Sequence, residues 1–250
     1  YAYHPHLNVF DAVLALSGYI AENKLFAVQI DFEKYFDSIP TGYLKECIDD
    51  EALVSLTPHE KLVLKALLNH QYATREGFQS STFTRRFRGT PQGCSASLLL
   101  ANLANHSLDR ALERQSGRVV RFADDVVALC GTYEEAQNLE GSFSTHCSAH
   151  GLTINKIKSP GIAIIDDPAA EMRTAPHFDY LGYRFTRKHL SIPDHVKSRI
   201  KQKLSRLIQI YLIQYPLKYG FNRKRRGFRP AYDWDLLGLI TELRGYLYGG

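Results

Sequence analysis

The chain has 250 residues, of which 44% are hydrophobic and 12% aromatic, and its formal net charge is +5. This composition is typical of a folded protein with one large domain or two small ones, and it excludes a disordered chain. No apolar stretch is long enough to span a bilayer, and the four cysteines lack the CxxC spacing of a zinc site. We therefore expect a cytoplasmic protein without a membrane partner, and a first residue that is Tyr indicates a fragment of a longer chain.

Hydrophobic periodicity predicts the elements of the first half of the chain. Thr41 and Thr57 are expected to cap helices, and Pro58 suits the first position of the second one. Helices are predicted over residues 8–20, 41–49, 58–70 and 95–114, a buried strand over 25–31, and a hairpin within 72–89.

The second half mixes strands and helices in the same way. Gly151 is expected to end the helix before it. Together the two halves predict an α+β fold, with an antiparallel sheet packed on helices and a small helical domain after it. Hairpins are predicted over 119–130 and over 180–186 with 189–192, strands over 152–154 and 161–165, helices over 132–150, 197–215 and 233–248, and a linker over 216–230.

Charge is distributed unevenly along the chain. Residues 184–229 contain 14 Lys or Arg and one acid, whereas the rest of the chain contains 17 bases and 25 acids. A basic segment after an acidic body indicates a polyanionic partner, and the aromatic residues within this segment favour nucleic acid. The alternative is a solvated helix face.

Asp124 and Asp125 interrupt an apolar, β-branched run and lie at the predicted tip of a buried hairpin. Two adjacent carboxylates in such a place repel each other and lose hydration, which is costly unless a cation binds there. A turn that faces water is the alternative, because Asp is a common turn residue.

Asp31 ends the buried strand 25–31, and three carboxylates converge if that strand end faces the hairpin. Clusters of oxygen ligands suit Mg²⁺, and a pair of such ions can assist in-line phosphoryl displacement. A helix cap is the alternative for Asp31. In residues 88–97, Gly89 and Gly93 allow a ligand to approach the backbone and Gln92 can offer its amide, although a simple turn before a helix is also possible.

Five segments in order resemble the successive palm motifs of reverse transcriptases, and their details resemble the prokaryotic group II intron-type branch. A further segment, residues 243–248, resembles the thumb helix of that branch. The resemblance covers nearly the whole chain. The five segments are Ile30-Asp-Phe-Glu-Lys-Tyr-Phe-Asp37, Gly89-Thr-Pro-Gln-Gly-Cys-Ser-Ala-Ser-Leu98, Phe122-Ala-Asp-Asp125, His150-Gly-Leu-Thr-Ile-Asn-Lys-Ile-Lys158 and Tyr180-Leu-Gly-Tyr-Arg-Phe185.

The resemblance implies a right-hand polymerase fold: partial fingers over 1–24, a palm over 25–192 with inserted fingers elements at about 41–90, and a helical thumb over 193–250. It implies an RNA-directed DNA polymerase that adds dNTPs to a primer 3′-hydroxyl, in a bacterial defence or other domesticated system. The implied partners are an RNA template with its primer and dNTP. They can include a dedicated non-coding RNA and a larger protein assembly.

The resemblance also implies roles for single residues. Asp31 and Asp124 would bind two Mg²⁺ ions, for which Mn²⁺ can substitute, with Asp125 beside them and the Phe32 carbonyl assisting. Phe36 would pack under the deoxyribose and exclude a ribose 2′-hydroxyl. The other implied contacts are Tyr35, Gln92 and Lys158 for dNTP, Tyr180, Leu181 and Gly182 for the primer, and Lys197, Lys201, Arg223, Lys224, Arg225 and Arg226 for the nucleic-acid backbone.

Alternative interpretations remain for two of these residues and for the function. Phe36 could be an ordinary core aromatic, and Lys158, the expected proton donor to pyrophosphate, could be a surface lysine. Many group II-type enzymes have Tyr where this chain has Phe122, and His4 occupies the place of a family Arg. The rival functions are an RNA polymerase on the same palm and an inactive nucleic-acid-binding scaffold.

Overall fold

A computed structural model describes residues 1–2, 6–20, 25–69, 71–73, 83–85, 87–91, 93–167, 172–219 and 234–248. The chain divides into two compact units, Tyr1–Leu190 and Ser191–Gly250. Within the described ranges, no helix has both the length and the apolar character needed to cross a membrane. The assignment of fingers, palm and thumb to parts of these units stays a prediction.

The first unit alternates helices and strands along most of its length. Its last strand, β10, ends at Ser191, the first residue of the second unit. In chain order the elements are α1 (Val9–Ile20), β1 (Phe26–Asp31), α2 (Tyr35–Ser38), α3 (Thr41–Asp49), α4 (Pro58–Leu68), β2 (Gln71–Tyr72), β3 (Thr84–Arg85), α5 (Ser95–Ala104), α6 (His106–Glu113), β4 (Arg118–Phe122), β5 (Asp125–Cys130), α7 (Tyr133–His150), β6 (Gly161–Ile165), β7 (Thr174–Ala175), β8 (Phe178–Tyr180), β9 (Tyr183–Phe185) and β10 (Leu190–Ser191).

A five-stranded sheet forms the centre of this unit, in the order β4-β5-β1-β6-β7. Its neighbours are antiparallel except for β6 and β7. Successive side chains of a strand point to opposite faces, so Val28 and Ile30 pack into the core under α3, α5 and α7. Ala27 faces α1 and the β8–β9 hairpin instead. The predicted α+β class is confirmed, and the same alternation places Asp31 on the Ala27 face.

Local signals predicted several boundaries well. Thr57 and Thr132 each form a capping box with the Glu three residues later, at the starts of α4 and α7. Gly151 ends α7 in a left-handed conformation, with φ of 65°. Thr41 is the first residue of α3 rather than its cap, and its hydroxyl donates to the Phe87 carbonyl at 3.0 Å.

Two predicted elements were wrong. The helix expected over 95–114 breaks at Asn105, whose fully buried side chain contacts His146 at 3.2 Å. The strand expected over 152–154 is a single bridge between Phe32 and Ile154. The hairpin predicted over 180–186 with 189–192 is present as β9 and β10, and β8 joins the same sheet through a second turn at Leu181 and Gly182, whose φ angles are 49° and 83°.

The second unit is helical where it is described. Its elements are α8 (Asp194–Gln209), a π-helical segment (Ile210–Gln214), α9 (Tyr215–Tyr219) and α10 (Trp234–Tyr248). The helix predicted over 197–215 therefore starts three residues earlier and contains a π segment. Gly238 of α10 packs directly on Tyr211, since a Cβ at that position would lie 2.7 Å from the ring atom Cε1.

His146 should make the stability of the fold depend on pH. Burial, and then repulsion from His150, lower the pKa of His146 to about 4, below its ordinary value of 6.5. Asp109 opposes this shift and Arg121 adds to it. Because the unfolded chain then binds more protons between these pH values, the free energy of unfolding should fall by about 2–3 kcal/mol as pH drops from 6.5 to 4.

Denaturant titration of wild type and His146→Gln at pH 7 and pH 4.5 measures this effect. The variant should lose less stability on acidification than wild type does, since Gln has no proton to bind. His150→Gln, a change at the more exposed histidine, should keep most of the wild-type slope. Equal pH slopes for wild type and His146→Gln would exclude His146 as the cause.

Candidate active site

Two carboxylates meet at the end of the central sheet. Asp31, the last residue of β1, lies directly opposite Asp125, the first residue of β5. The main-chain groups of Asp31 form their hydrogen bonds with Ser159 and Asn155 and not with β5. The Asp31 N–H donates to Ser159 Oγ at 3.0 Å, and the Asp31 carbonyl accepts from Asn155 N at 2.8 Å. Asp31 and Asp125 are therefore a pair without mutual backbone hydrogen bonds, the kind in which facing side chains come closest.

Asp124 lies in the two-residue turn that joins β4 to β5, where Phe122 pairs with Asp125. Ala123 takes a positive φ of 58° in this turn. The Asp124 carbonyl accepts from Phe32 N at 3.4 Å, so the turn is joined to the end of β1. The main chain fixes the turn, and the Asp124 side chain is not needed for that.

Arg121 supports this turn from β4. Its guanidinium donates to the Ala123 carbonyl at 3.0 Å and to Asn102 Oδ1 at 3.2 Å, and it forms an ion pair with Asp109 in which Nε lies 2.7 Å from Oδ1. Sequence reasoning missed Arg121 and Asp109. The signal was Arg121 next to the apolar pair Val119-Val120, because a buried Arg needs a partner.

The site accumulates negative charge. Burial raises the pKa of Asp125 to about 6, and repulsion from Asp31 and Asp124 adds to this, while Lys158 opposes it. Lys158 Nζ donates to Asp31 Oδ2 at 3.0 Å, and this hydrogen bond raises the pKa of Lys158. The carboxylates therefore already attract one cation, although the Lys158 side chain is 64% exposed and the pair is open to solvent.

The carboxylates suit a divalent ion that also binds water and phosphate oxygens. Within the described ranges, no three His, Cys, Asp or Glu side chains are grouped closely enough to hold a metal by themselves. Asp31 and Asp125 oppose each other, and Asp124 in the adjoining turn is close enough to raise the pKa of Asp125. The assignment of the three acids as metal ligands stays a prediction. Mg²⁺ usually takes one or two carboxylates together with phosphate oxygens and water, which fits this arrangement.

A pocket of about 540 Å³ lies between the segment after Asp31 and the start of α5. Phe36, Cys94 and Leu98 line it, and Phe36 also packs on the hydrophobic core. The Thr90 amide donates to the Phe36 carbonyl at 2.8 Å, which joins the two walls. Gln92, predicted to contact dNTP, and His4 lie outside the described residues.

Two aromatic predictions need correction. Tyr35 is 1% exposed, and its hydroxyl donates to the Ala101 carbonyl at 2.6 Å, so its side chain belongs to the core and not to a nucleotide site. Tyr180 is 2% exposed, and its hydroxyl lies 3.2 Å from the Val120 carbonyl and 3.0 Å from that of Asp125. Its side chain therefore supports the carboxylate hairpin from below, where it cannot contact a primer.

The remaining predicted contacts are distributed over two regions. Leu181 and Gly182 form the β8–β9 turn, in which Gly182 is exposed and Leu181 is half-buried against the core. Lys197 and Lys201 are exposed on α8, and Lys197 Nζ pairs with Asp194 Oδ1 at 3.1 Å. The four predicted backbone contacts that lie outside the described residues are Arg223, Lys224, Arg225 and Arg226.

Comparison with known proteins identifies similar chains. A family model described as "Reverse transcriptase (RNA-dependent DNA polymerase)" matches residues 12–185, which is more than half of the chain. A search of curated protein sequences finds no match.

Solved telomerase structures share the fold. An apo telomerase from Candida tropicalis aligns with a TM-score of 0.58 and 15% identity, covering 81% of this chain and 40% of that one. Telomerase from Candida tropicalis in complex with a TWJ fragment of telomeric RNA aligns with a TM-score of 0.57 and 14% identity, covering 95% and 42%. The corresponding complex from Candida albicans gives 0.54 and 15%, covering 73% and 32%. The chain thus spans about two fifths or less of the length of these telomerases.

Proposed function

The chain belongs to the reverse transcriptase (RNA-dependent DNA polymerase) family, and from this premise we propose that it extends a primer 3′-hydroxyl with deoxynucleotides on an RNA template. The observation that supports the proposal most strongly is the register that sets Asp31 opposite Asp125, with Asp124 in the adjoining turn. A chain that kept the fold for another purpose would have no reason to bear the repulsion between these carboxylates.

Reverse transcriptase domains generally use divalent metals, and the proposal assigns their ligands in this chain. Asp31, Asp124 and Asp125, with the Phe32 carbonyl, would hold Mg²⁺, or Mn²⁺ in its place. Two bound ions supply charge neutralisation for the attacking and leaving oxygens of an in-line displacement.

Other residues of the chain would carry out the remaining steps. The primer 3′-hydroxyl would lose its proton to solvent and form a bond to the α-phosphate of the dNTP, and the bond between the α- and β-phosphates would break and release pyrophosphate. Lys158, whose ammonium group is held beside Asp31, would donate a proton to that leaving group. Leu181 and Gly182 would place the primer end, and Gln92 would line the nucleotide site.

We also propose the partners and setting of this activity. The exposed Lys197 and Lys201, with the basic residues 223–226, would hold the phosphate backbone without reading sequence. An RNA–DNA duplex is close to A-form, so recognition would rest on shape and 2′-hydroxyl groups. The motif details favour a stand-alone prokaryotic enzyme of the group II-type branch in the bacterial cytoplasm. A defence or other domesticated role, with a dedicated non-coding RNA and a larger assembly, is part of this proposal.

Primer extension by the purified full-length protein tests the function. The expected result is DNA synthesis on a primed RNA template with dNTPs and Mg²⁺, and none without added metal. Tight RNA binding without metal-dependent synthesis on any template would support the inactive scaffold instead. Sequencing the nucleic acid that copurifies with the protein would then identify the template and the primer.

Phe36→Ala should weaken the choice between deoxyribonucleotides and ribonucleotides. The ring lines the open pocket, where it would clash with a ribose 2′-hydroxyl, so its removal should reduce discrimination on the order of 10- to 100-fold. Competition between dNTP and rNTP during primer extension measures the ratio. Phe83→Ala, which removes an exposed ring from the edge of β3, should leave it unchanged, and equal use of both nucleotides by wild type would favour the RNA polymerase.

A further inference from the structure

The last two residues of β1, Ile30 and Asp31, are not paired with β6. The pairing of β1 with β6 ends at Gln29, which lies opposite Gly161. The loop 153–159 occupies the place that the continued strand would take. There the Asn155 amide donates to the Asp31 carbonyl at 2.8 Å, and the Glu33 amide donates to the Thr153 carbonyl at 2.8 Å.

The hydroxyl of Ser159 replaces the missing backbone acceptor. Asp31 N–H donates to Ser159 Oγ at 3.0 Å, and the same oxygen lies 3.4 Å from the Asp31 carbonyl. A sheet amide is ordinarily bound by a carbonyl of the next strand. At this residue, the amide is bound by a side chain of the loop 153–159 instead.

The loop that carries Ser159 is itself well fixed. Ser159 N donates to the Asn155 carbonyl at 2.9 Å. Asn155 Oδ1 accepts from the amides of Ile157 at 3.1 Å and Lys158 at 3.3 Å, which closes the turn between them. The Ser159 hydroxyl therefore belongs to a loop that is closed by its own hydrogen bonds.

We propose that Ser159 is a positioning residue for Asp31. It touches neither substrate nor metal, and it acts by holding the peptide unit from which the Asp31 carboxylate projects. The proposal rests on the proposed polymerase function for its kinetic consequence, whereas its structural consequence can be measured without activity. Because small displacements of reacting groups reduce rates steeply, loss of this hydroxyl should slow the chemical step.

A cavity beside Ser159 allows a clean set of variants. It has a volume of about 460 Å³ and is lined by Ile30, Ile154 and Ser159, with Ser144 on the side of α7. Ser159→Thr keeps the hydroxyl, and its added methyl group has room there. Ser159→Ala removes the hydroxyl, and Ser144→Ala removes one from the wall of the same cavity as a matched control.

Two measurements on the full-length protein test the proposal. In hydrogen exchange, the Asp31 amide should exchange about tenfold faster in Ser159→Ala, while the amides of β5 keep their protection. In primer extension, Ser159→Ala should lower kcat about 10- to 100-fold with the KM for dNTP nearly unchanged. Ser159→Thr should recover most of the rate, and Ser144→Ala should match wild type in both measurements.

The outcomes separate this proposal from the proposed function. Unchanged exchange at Asp31 in Ser159→Ala overturns the positioning role, whether or not the protein makes DNA. Faster exchange at Asp31 with no DNA synthesis by wild type supports the contact and contradicts the polymerase. A loss of protection across all of β1 and β5, shared by Ser159→Thr, would show a merely structural role and overturn the proposal.

Discussion

Replacing Asp124 by Asn should abolish primer extension and leave the fold intact. The main chain, through the Asp124 carbonyl and the Phe32 amide, fixes the turn, so an isosteric amide side chain should fit without strain. The variant loses a negative charge and an oxygen ligand for the proposed metals. We expect a rate at least three orders of magnitude below wild type, which corresponds to about 4 kcal/mol of transition-state stabilisation.

The matched control is Asp49→Asn, the same chemical change at an exposed residue. Asp49 pairs with Lys65 on the surface of the first unit, with Nζ 2.6 Å from Oδ1. Its loss should alter neither the rate nor, by more than a fraction of a kcal/mol, the stability. Thermal unfolding of both variants checks the fold, and DNA synthesis by Asp124→Asn at the wild-type rate would exclude the assigned site.

Gly89→Ala should destabilise the protein and damage the pocket in front of Phe36. Gly89 has φ of +84°, and an added Cβ would lie 2.9 Å from Asp37 Cα and 3.0 Å from the Phe36 carbonyl. These are backbone atoms of the segment that follows Asp31, so the clash can be relieved only by moving that segment. The left-handed conformation and the overlap together should cost about 2–4 kcal/mol, measured as a lower denaturant midpoint.

Gly93→Ala separates the two contributions. Gly93 has a similar φ of +79°, but an added Cβ there would meet nothing within 4 Å. It should therefore cost only the conformational part, about 1–2 kcal/mol. Equal losses for the two variants would show that close packing of Gly89 on the Asp37 backbone contributes nothing.

The parts of the fold that depend on local signals could be predicted from the sequence. The capping boxes at Thr57 and Thr132 set helix starts, because donor and acceptor lie three residues apart. The β-branched run around Asp124 predicted its own hairpin, since both strands and the turn lie within the thirteen residues 118–130.

Features that depend on distant partners could not be predicted. Asn105 interrupts a helix although the apolar pattern continues past it, because its side chain forms a hydrogen bond with His146 of α7. Tyr35 and Tyr180 lie next to predicted contact residues, yet their hydroxyl groups find buried carbonyls 66 and 55 residues away along the chain. Alternation alone does not show which tyrosines point inward.

The candidate site also combines features set by local signals with features set by distant partners. The types of residue at Asp31, Asp124 and Asp125 indicated cation binding, and the sequence placed each at the end of a strand. That Asp31 and Asp125 are opposite each other depends on strand register over almost a hundred residues of chain. The bond from Asp31 to Ser159 depends on where β6 ends, for which the sequence contains no signal.

Single-nucleotide addition on a defined template tests the central claim most directly. The full-length protein is given a DNA primer on an RNA template, all four dNTPs and all four rNTPs together, and Mg²⁺, and the product mass is measured after one turnover. We predict addition of one deoxynucleotide complementary to the first template base, and no addition by Asp124→Asn. Addition of a ribonucleotide, or no addition by wild type, would contradict an RNA-directed DNA polymerase.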